Sequence, residues 1–318
     1  MKAAKKPYRV SFYMTNKCNF RCSYCFTEKY RSGGGGAPDV TVDIVRRTLG
    51  ALGPFQRVML GAPGEPTKSP HFAEVFNFLQ NKTPRLNITT NGTKIRELAG
   101  QVNWNRAHVV NLTIHEVEEE RFRKITGTDM FSEVIAALSY LRDRGVGLVL
   151  YYVVGRENIE RMVEFVRFAA SYGVKSCSIL PLLNYKDFID DEEFFWANTL
   201  NRDNEEVKRR FLEQRAKVRK ITQRHGMNVS YPILVSRKTP GAGCKMAFDY
   251  IAVNGRGDIA ICCRGEGPRA ELGNISQGAE LWNAPVLEEF RRRVLDVKDR
   301  HPKCKVCHAC YELGNHGG

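Results

Sequence analysis

The sequence lacks any long hydrophobic run. None of its apolar stretches approaches the roughly 18 residues that a membrane-spanning helix needs. The basic N-terminal residues are not followed by the apolar segment of a secretory signal. We therefore expect a cytoplasmic protein with no membrane partner.

Cysteine is nearly absent from the middle of the chain. Of ten cysteines, three lie within residues 18–25 and six lie from Cys244 onward, with Cys177 alone between the two groups. A reducing compartment disfavours a disulfide framework. The uneven distribution therefore indicates two metal sites, one towards each end of the chain.

No nucleic-acid-binding motif accompanies the formal net charge of +14. Lys and Arg are spread along predicted helices with Glu and Asp between them, which is typical of solvated helix faces. We therefore expect no nucleic-acid partner. The positive excess also disfavours a polycationic substrate, which the protein would repel.

Short apolar strands alternate with amphipathic helices through the first 183 residues. Six such units, rich in Val, Ile and Leu, predict a parallel sheet covered by helices. The predicted strands are Arg9–Thr15, Gln56–Leu60, Arg85–Thr90, Ala107–Ile114, Gly147–Val154 and Val174–Leu180. We expect an α/β fold in which a partial (β/α)6 barrel (residues 1–190) is followed by a helical linker (191–230) and a small C-terminal α+β domain (231–318). Reactive groups should gather at the carboxyl ends of the strands.

Three cysteines follow the first predicted strand with the spacing C-x3-C-x2-C, at Cys18, Cys22 and Cys25. Thiolate is the normal ligand of iron–sulfur clusters, and three thiolates on one loop can hold three irons of a [4Fe–4S] cube. The fourth iron is then open to bind and reduce another molecule. The alternative is a zinc knuckle, but zinc requires a fourth Cys or His nearby, and none follows until His71.

This motif resembles that of the radical S-adenosylmethionine (SAM) superfamily, and the resemblance covers nearly the whole chain. It implies that the open iron chelates SAM through the amino and carboxylate groups of its methionyl part. One electron then cleaves SAM to methionine and a 5′-deoxyadenosyl radical, which takes a hydrogen atom from an unreactive C–H bond. The resemblance also implies that Tyr24, just before the third cysteine, packs on the adenine of SAM. A reducing partner such as flavodoxin or ferredoxin would supply the electron.

Three further segments lie at predicted strand ends. Gly61-Ala-Pro-Gly64-Glu65-Pro66 resembles the family's Gly-Gly-Glu-Pro segment, which implies that Gly64 and Glu65 contact the methionyl ammonium. The inserted Ala-Pro departs from the family pattern. Asn91 belongs to a Thr-Asn-Gly turn that resembles another family segment, although Asn-Gly is also common in ordinary turns. His115 ends the fourth strand, where polar residues often face SAM or substrate; a structural role is the alternative.

The C-terminal cysteines resemble the auxiliary-cluster domains called SPASM and their shorter form, twitch. Cys244 and Cys262 flank a Gly-rich turn at Gly257, and three more cysteines follow at C-x2-C-x2-C spacing, namely Cys304, Cys307 and Cys310. The glycine suits a hairpin turn. The resemblance implies one auxiliary [4Fe–4S] cluster held by Cys244, Cys262, Cys304 and either Cys307 or Cys310, with Cys307 favoured. A structural zinc is the alternative.

Cys263 is left over beside the predicted ligand Cys262. Strand alternation would place its thiol on the opposite side from Cys262. Radical SAM epimerases return a hydrogen atom to the substrate radical from such a cysteine, so Cys263 favours epimerisation, with Cys177 as the rival donor. A buried, inert cysteine and a spare cluster ligand are the alternatives for Cys263.

Two other outcomes remain open at this point. A twitch-type dehydrogenase would pass the second electron to the auxiliary cluster and release a product lighter by two hydrogen atoms. An electron-transfer protein would need no open iron. The substrate is expected to be a ribosomal peptide or a sugar or aminocyclitol natural product.

Overall fold

The computed structural model describes residues 5–25, 27, 36–61, 63–182, 199–236, 244–262 and 272–296. Within these ranges the predicted alternation of strands and helices is present. The strands are β1 (Arg9–Tyr13), β2 (Arg57–Gly61), β3 (Leu86–Thr90), β4 (Val109–Thr113), β5 (Leu148–Val154), β6 (Ser176–Pro181), β7 (Asn228–Ser230), β8 (Tyr250–Val253) and β9 (Ile259–Ala260). The α-helices are α1 (Val42–Leu52), α2 (Phe72–Leu79), α3 (Glu119–Thr126), α4 (Phe131–Asp143), α5 (Met162–Ser171), α6 (Glu205–His225) and α7 (Pro285–Leu295).

One sheet contains all of these strands, in the order β7-β6-β5-β4-β3-β2-β1-β8-β9. Neighbours from β7 to β8 are parallel, and only the pair β8–β9 is antiparallel. The α/β fold with a partial barrel is therefore confirmed. From the C-terminal part of the chain, β8 joins the barrel sheet beside β1, with Arg9 opposite Tyr250. The division into barrel, helical linker and C-terminal domain stays a prediction.

Local sequence explains where the helices begin and end. The Thr41 side chain caps the N-terminus of α1 by accepting a hydrogen bond from the Ile44 amide, and Asn204 caps α6 in the same way. Gly226 ends α6 in the left-handed conformation (φ 60°), which glycine adopts without steric cost. Pro285 is the first residue of α7. An amide hydrogen at this position would have no acceptor within the helix, so proline removes no helical hydrogen bond there.

The two faces of the sheet have different compositions. On β1, Val10 and Phe12 are buried in the core beneath the helices, so Arg9, Ser11 and Tyr13 face the other side. The same alternation on the other strands lines the concave face, here called the lumen, mostly with polar residues. The inward positions therefore decide what can bind in the lumen.

The structure contains no helix, among the residues it describes, that is long and apolar enough to cross a membrane.

Candidate functional site

The loop that carries Cys18, Cys22 and Cys25 begins where β1 ends. Its backbone is held by the segment after β2, because the Gly64 amide donates to the Thr15 carbonyl oxygen at 2.8 Å and the Glu65 amide donates to the Lys17 carbonyl oxygen at 2.8 Å. These two bonds fix the approach to Cys18 from the barrel side.

The far end of the same loop is fixed to α3. The amides of Arg21 and Ser23 donate to the carbonyl oxygens of Thr126 and Ile125, at 2.8 and 2.9 Å. These acceptors lie in the last turn of α3, where helix carbonyls lack intrahelical partners. Phe20 packs edge-on against Phe122 of the same helix, with 5.6 Å between ring centroids. The cysteine loop is therefore held on two sides by contacts within the chain.

The three cysteines are half-buried and lie on one short turn. The Cys25 amide donates to the Cys22 carbonyl oxygen at 3.0 Å, and the Cys18 sulfur accepts from the Phe20 amide at 3.4 Å. The Cys25 sulfur lies 3.1 Å from the hydroxyl of Thr27. Three half-buried thiols on one turn suit a [4Fe–4S] cluster, and the Phe20 amide beside Cys18 is a donor that would stabilise the negative charge of such a cluster.

Glu65 is buried, and the chain itself uses both of its carboxylate oxygens. Oε1 accepts from the Thr67 amide and from the hydroxyls of Thr67 and Thr90 (both at 2.6 Å), while Oε2 accepts from the Asn91 amide at 2.7 Å. Burial raises the pKa of this carboxyl, and the four hydrogen bonds oppose that shift. Glu65 thus joins the segment after β2 to the turn after β3. Its contact with the methionyl ammonium remains a prediction.

Asn91 extends this connection to the cysteine loop. Its Nδ2 donates to Asn19 Oδ1 at 2.9 Å, and its Oδ1 accepts from the amide and hydroxyl of Thr93. Asn19 in turn donates to the Thr93 hydroxyl at 2.8 Å. The Thr-Asn-Gly turn therefore supports the residue that follows Cys18, in addition to any contact with SAM.

Tyr24 and His115 form a hydrogen-bonded pair beside Cys22. The Tyr24 hydroxyl lies 2.7 Å from His115 Nδ1, and the two imidazole nitrogens lie 3.9 and 4.0 Å from the Cys22 sulfur. Burial lowers the pKa of His115 to about 4 and raises the pKa of Tyr24 well above its usual value. Both groups are therefore neutral, and the hydroxyl donates to Nδ1. This pairing links the predicted adenine-packing residue to the end of β4.

Cys177 lies on the helix-facing side of β6. It is the register partner of Leu150, and both belong to the core beneath α5. The residue is 3% exposed, and burial raises the pKa of its thiol to about 12. This placement argues against Cys177 as the rival hydrogen donor, because its thiol lies on the opposite side of the sheet from the lumen.

In the C-terminal part, Cys244 is buried just before a short 3-10 helix (Met246–Phe248), and Cys262 follows β9. Gly257 makes the turn between β8 and β9 with φ 85°, and a Cβ there would lie 2.7 Å from Ile275 Cγ1. The turn therefore requires glycine, as the sequence predicts. Four of the predicted residues, Cys263, Cys304, Cys307 and Cys310, lie outside the described residues.

Sequence reasoning missed the ion pair that fixes the segment after His115. Glu116 is 2% exposed and pairs with Arg161 at 3.0 Å, and Arg161 also reaches Glu118 and Glu164. An acidic residue directly after a strand end, with an arginine after the next strand, is the pattern that could have indicated this pair.

Comparisons with known proteins agree with this geometry. A model of the radical SAM superfamily matches residues 12–169, and a model of the SPASM iron–sulfur cluster-binding domain matches residues 244–311. The chain is 28% identical over 171 residues to a probable GTP 3′,8-cyclase of Sulfolobus acidocaldarius, a match that covers 53% of this chain and 54% of that protein. It thus spans about half the length of the curated relatives it matches.

Solved structures show the same fold at low identity. SuiB of Streptococcus suis bound to precursor peptide SuiA has a TM-score of 0.68 at 15% identity, covering 98% of this chain and 71% of that one. The protein anSMEcpe with bound AdoMet also has a TM-score of 0.68, at 17% identity, covering 96% of this chain and 85% of that one. At these identities the likeness is evidence of fold alone.

Gly64→Ala tests how closely the cysteine loop is held. A Cβ at Gly64 would lie 2.3 Å from the Lys17 carbonyl oxygen and 2.7 Å from that of Thr15, so the loop must move. We expect anaerobically reconstituted Gly64→Ala to lose about one cluster's iron, roughly four atoms per chain. Gly50→Ala is the control, because nothing lies within 4 Å of its Cβ. Equal iron content in the two variants would contradict this account.

Glu65→Gln tests the connection that Glu65 makes between the segment after β2 and the turn after β3. The side-chain amide introduced at this position would point an N–H group at hydrogen-bond donors that now bond to a carboxylate oxygen of Glu65. Two donors that face each other in a buried site lower the stability of the fold by about 1–3 kcal/mol. We expect the thermal unfolding midpoint of the reconstituted protein to fall by several degrees. Glu74→Gln on α2, where the side chain is exposed, should leave the midpoint unchanged. A Glu65→Gln midpoint as high as that of the control would show that the buried carboxylate is not needed.

Proposed function

Because the chain belongs to the radical SAM superfamily and carries a SPASM iron–sulfur domain, we propose that it epimerises a carbon centre of its substrate. In this reaction one hydrogen atom is removed from a C–H bond and another is returned to the opposite face of the same carbon. The family gives the chain [4Fe–4S] clusters and SAM as cofactors. The loop of Cys18, Cys22 and Cys25, held at both ends, supports the radical step. Cys263 beside the predicted ligand Cys262 is the feature that favours epimerisation.

The residues of this site have different proposed roles. Cys18, Cys22 and Cys25 would hold the first cluster, which leaves one iron open to SAM, and the two together supply the hydrogen-abstracting radical when bound. Gly64 and Glu65 keep the cysteine loop against the strand ends. Tyr24, hydrogen-bonded to His115, lies where the adenine of SAM is predicted to pack.

Cys263 is the proposed hydrogen donor. It follows Cys262 directly, and the rival thiol of Cys177 lies on the helix-facing side of the sheet. The Cys263 S–H bond breaks homolytically and the hydrogen atom forms the new C–H bond on the substrate radical. The sulfur radical that remains takes up one electron from an external reductant, such as flavodoxin or ferredoxin, and one proton from solvent.

The proposed substrate is a peptide or a small natural product. Support for a peptide comes from the neighbouring folds, since SuiB was solved with the precursor peptide SuiA and anSMEcpe with the peptides Cp18Cys and Kp18Cys. Support for a small molecule comes from the curated relatives, which are named as probable GTP 3′,8-cyclases.

Product mass in deuterium oxide tests the reaction. An epimer formed with a solvent-exchanged thiol keeps the substrate's mass in ordinary water and gains one deuterium in deuterium oxide. A product lighter by two hydrogen atoms would instead establish the dehydrogenase. No 5′-deoxyadenosine from the anaerobically reconstituted wild-type protein with SAM and a reductant would exclude every radical reaction.

Cys263→Ala tests the donor. We expect this variant to form 5′-deoxyadenosine and no epimer, because the substrate radical has no thiol to quench it. Cys177→Ala is the matched control and should give epimer with the deuterium label, at a cost of about 1 kcal/mol in stability for the smaller core residue. Labelled epimer from Cys263→Ala would remove Cys263 from the mechanism.

A further inference from the structure

Two arginines lie side by side at the N-terminal end of the sheet. Arg9 on β1 and Arg57 on β2 are register partners, and both occupy inward positions on their strands. Arg57 lies four residues before Gly61, about 13 Å along the strand from the end where the cysteine loop begins. The two guanidinium groups therefore form the floor of the lumen.

Only one of these arginines is neutralised by a described residue. Arg9 forms a salt bridge with Asp249, just before β8. Arg57 has no salt bridge among the described residues, and none of the inward positions on the described strands β1–β8 carries Asp or Glu. The floor therefore keeps an uncompensated positive charge at Arg57, with no carboxylate on an inward position of these described strands.

Arg57 extends into the lumen and not away from it. Tyr151 occupies an inward position on β5, three strands from β2, as the register partner of Thr113. Burial raises the pKa of Tyr151, and the charge of Arg57 opposes that shift. The Arg57 guanidinium thus lies on the same side of the sheet as the Tyr151 hydroxyl.

Three buried polar atoms of this floor have no hydrogen-bond partner. They are the Nε atoms of Arg9 and Arg57 and Oδ1 of Asn87. Asn87 lies on β3 opposite Met59, which is the next inward residue after Arg57 on β2. Asn87 is 8% exposed. A buried N–H donor without a hydrogen-bond partner destabilises the fold, and the penalty is larger when the donor belongs to a charged group. Two unsatisfied N–H donors and a net positive charge are the features that bind an anion, and an arginine is suited to a planar or tetrahedral oxyanion.

We propose that the lumen floor at Arg57 binds an anionic group of the substrate, a carboxylate or a phosphate. A hydrogen-bond donor of the substrate beside that group would donate to Asn87 Oδ1. This inference rests on the proposed function, because it names the chemistry of the substrate that the same lumen holds. The reacting carbon would lie between the anionic group and the strand ends. Asn87 and Arg57 are binding residues in this account and take no part in hydrogen transfer.

Binding of two probes to the reconstituted holoenzyme tests the proposal by isothermal titration calorimetry. One probe is N-acetylglycine, which carries a carboxylate beside an amide N–H, and the other is inorganic phosphate. We expect at least one to bind saturably to wild type, which also tells whether a carboxylate or a phosphate is preferred. Arg57→Gln should weaken that binding about tenfold or more, because a charge-assisted hydrogen bond is lost. Arg47→Gln, an exposed arginine on α1 outside the lumen, should bind as wild type does.

Asn87→Asp is the second variant, in case Arg57→Gln does not fold. It keeps the side chain's size and places a carboxylate against the anion, so binding should weaken at least as much. The proposal is overturned if wild type binds neither probe or if the folded Arg57 or Asn87 variant binds as tightly as wild type. Formation of 5′-deoxyadenosine by wild type needs neither probe. Wild type that cleaves SAM without binding either anion therefore overturns only this site, and wild type that binds an anion without cleaving SAM overturns only the proposed function.

Discussion

The close contact between the Gly64–Glu65 backbone and the cysteine loop is the constraint on which the rest of the site depends. Two amides of that segment bond to carbonyl oxygens of residues 15 and 17, and the space between the two backbones excludes a Cβ atom. Through the buried carboxylate of Glu65 the same segment holds the turn after β3. Three strand ends are thus joined by contacts within the chain, which is the preorganisation that a radical site requires.

Much of this arrangement could be predicted from the sequence. The barrel strands begin and end within about two residues of their predicted bounds because runs of Val, Ile and Leu between turn residues mark buried parallel strands. The cysteine loop was predicted because its spacing is specific. For Gly64 the family resemblance predicts a contact with the methionyl ammonium, which stays a prediction. The reason why glycine is needed there, a Cβ that would lie 2.3 Å from a carbonyl oxygen, is visible only in three dimensions.

Other features depend on contacts that sequence spacing does not reveal. The pairing of β1 with β8 joins Arg9 to Tyr250, and no local pattern indicates such a distant partner. The direction of Cys177 depends on the register of β6 against β5, so a single cysteine flanked by serines could not be placed on either face. The same holds for Arg57, which reads as an ordinary basic residue at a strand start until its neighbours in the lumen are known.

The proposed cluster on Cys18, Cys22 and Cys25 should have an iron open to SAM, and electron paramagnetic resonance of the reduced protein tests this most directly. Adding SAM should change the cluster spectrum of wild type. A variant with these three cysteines replaced by alanine should retain a [4Fe–4S] signal from the C-terminal domain that SAM leaves unchanged. A wild-type spectrum indifferent to SAM, or an equal response in the triple variant, would contradict the account.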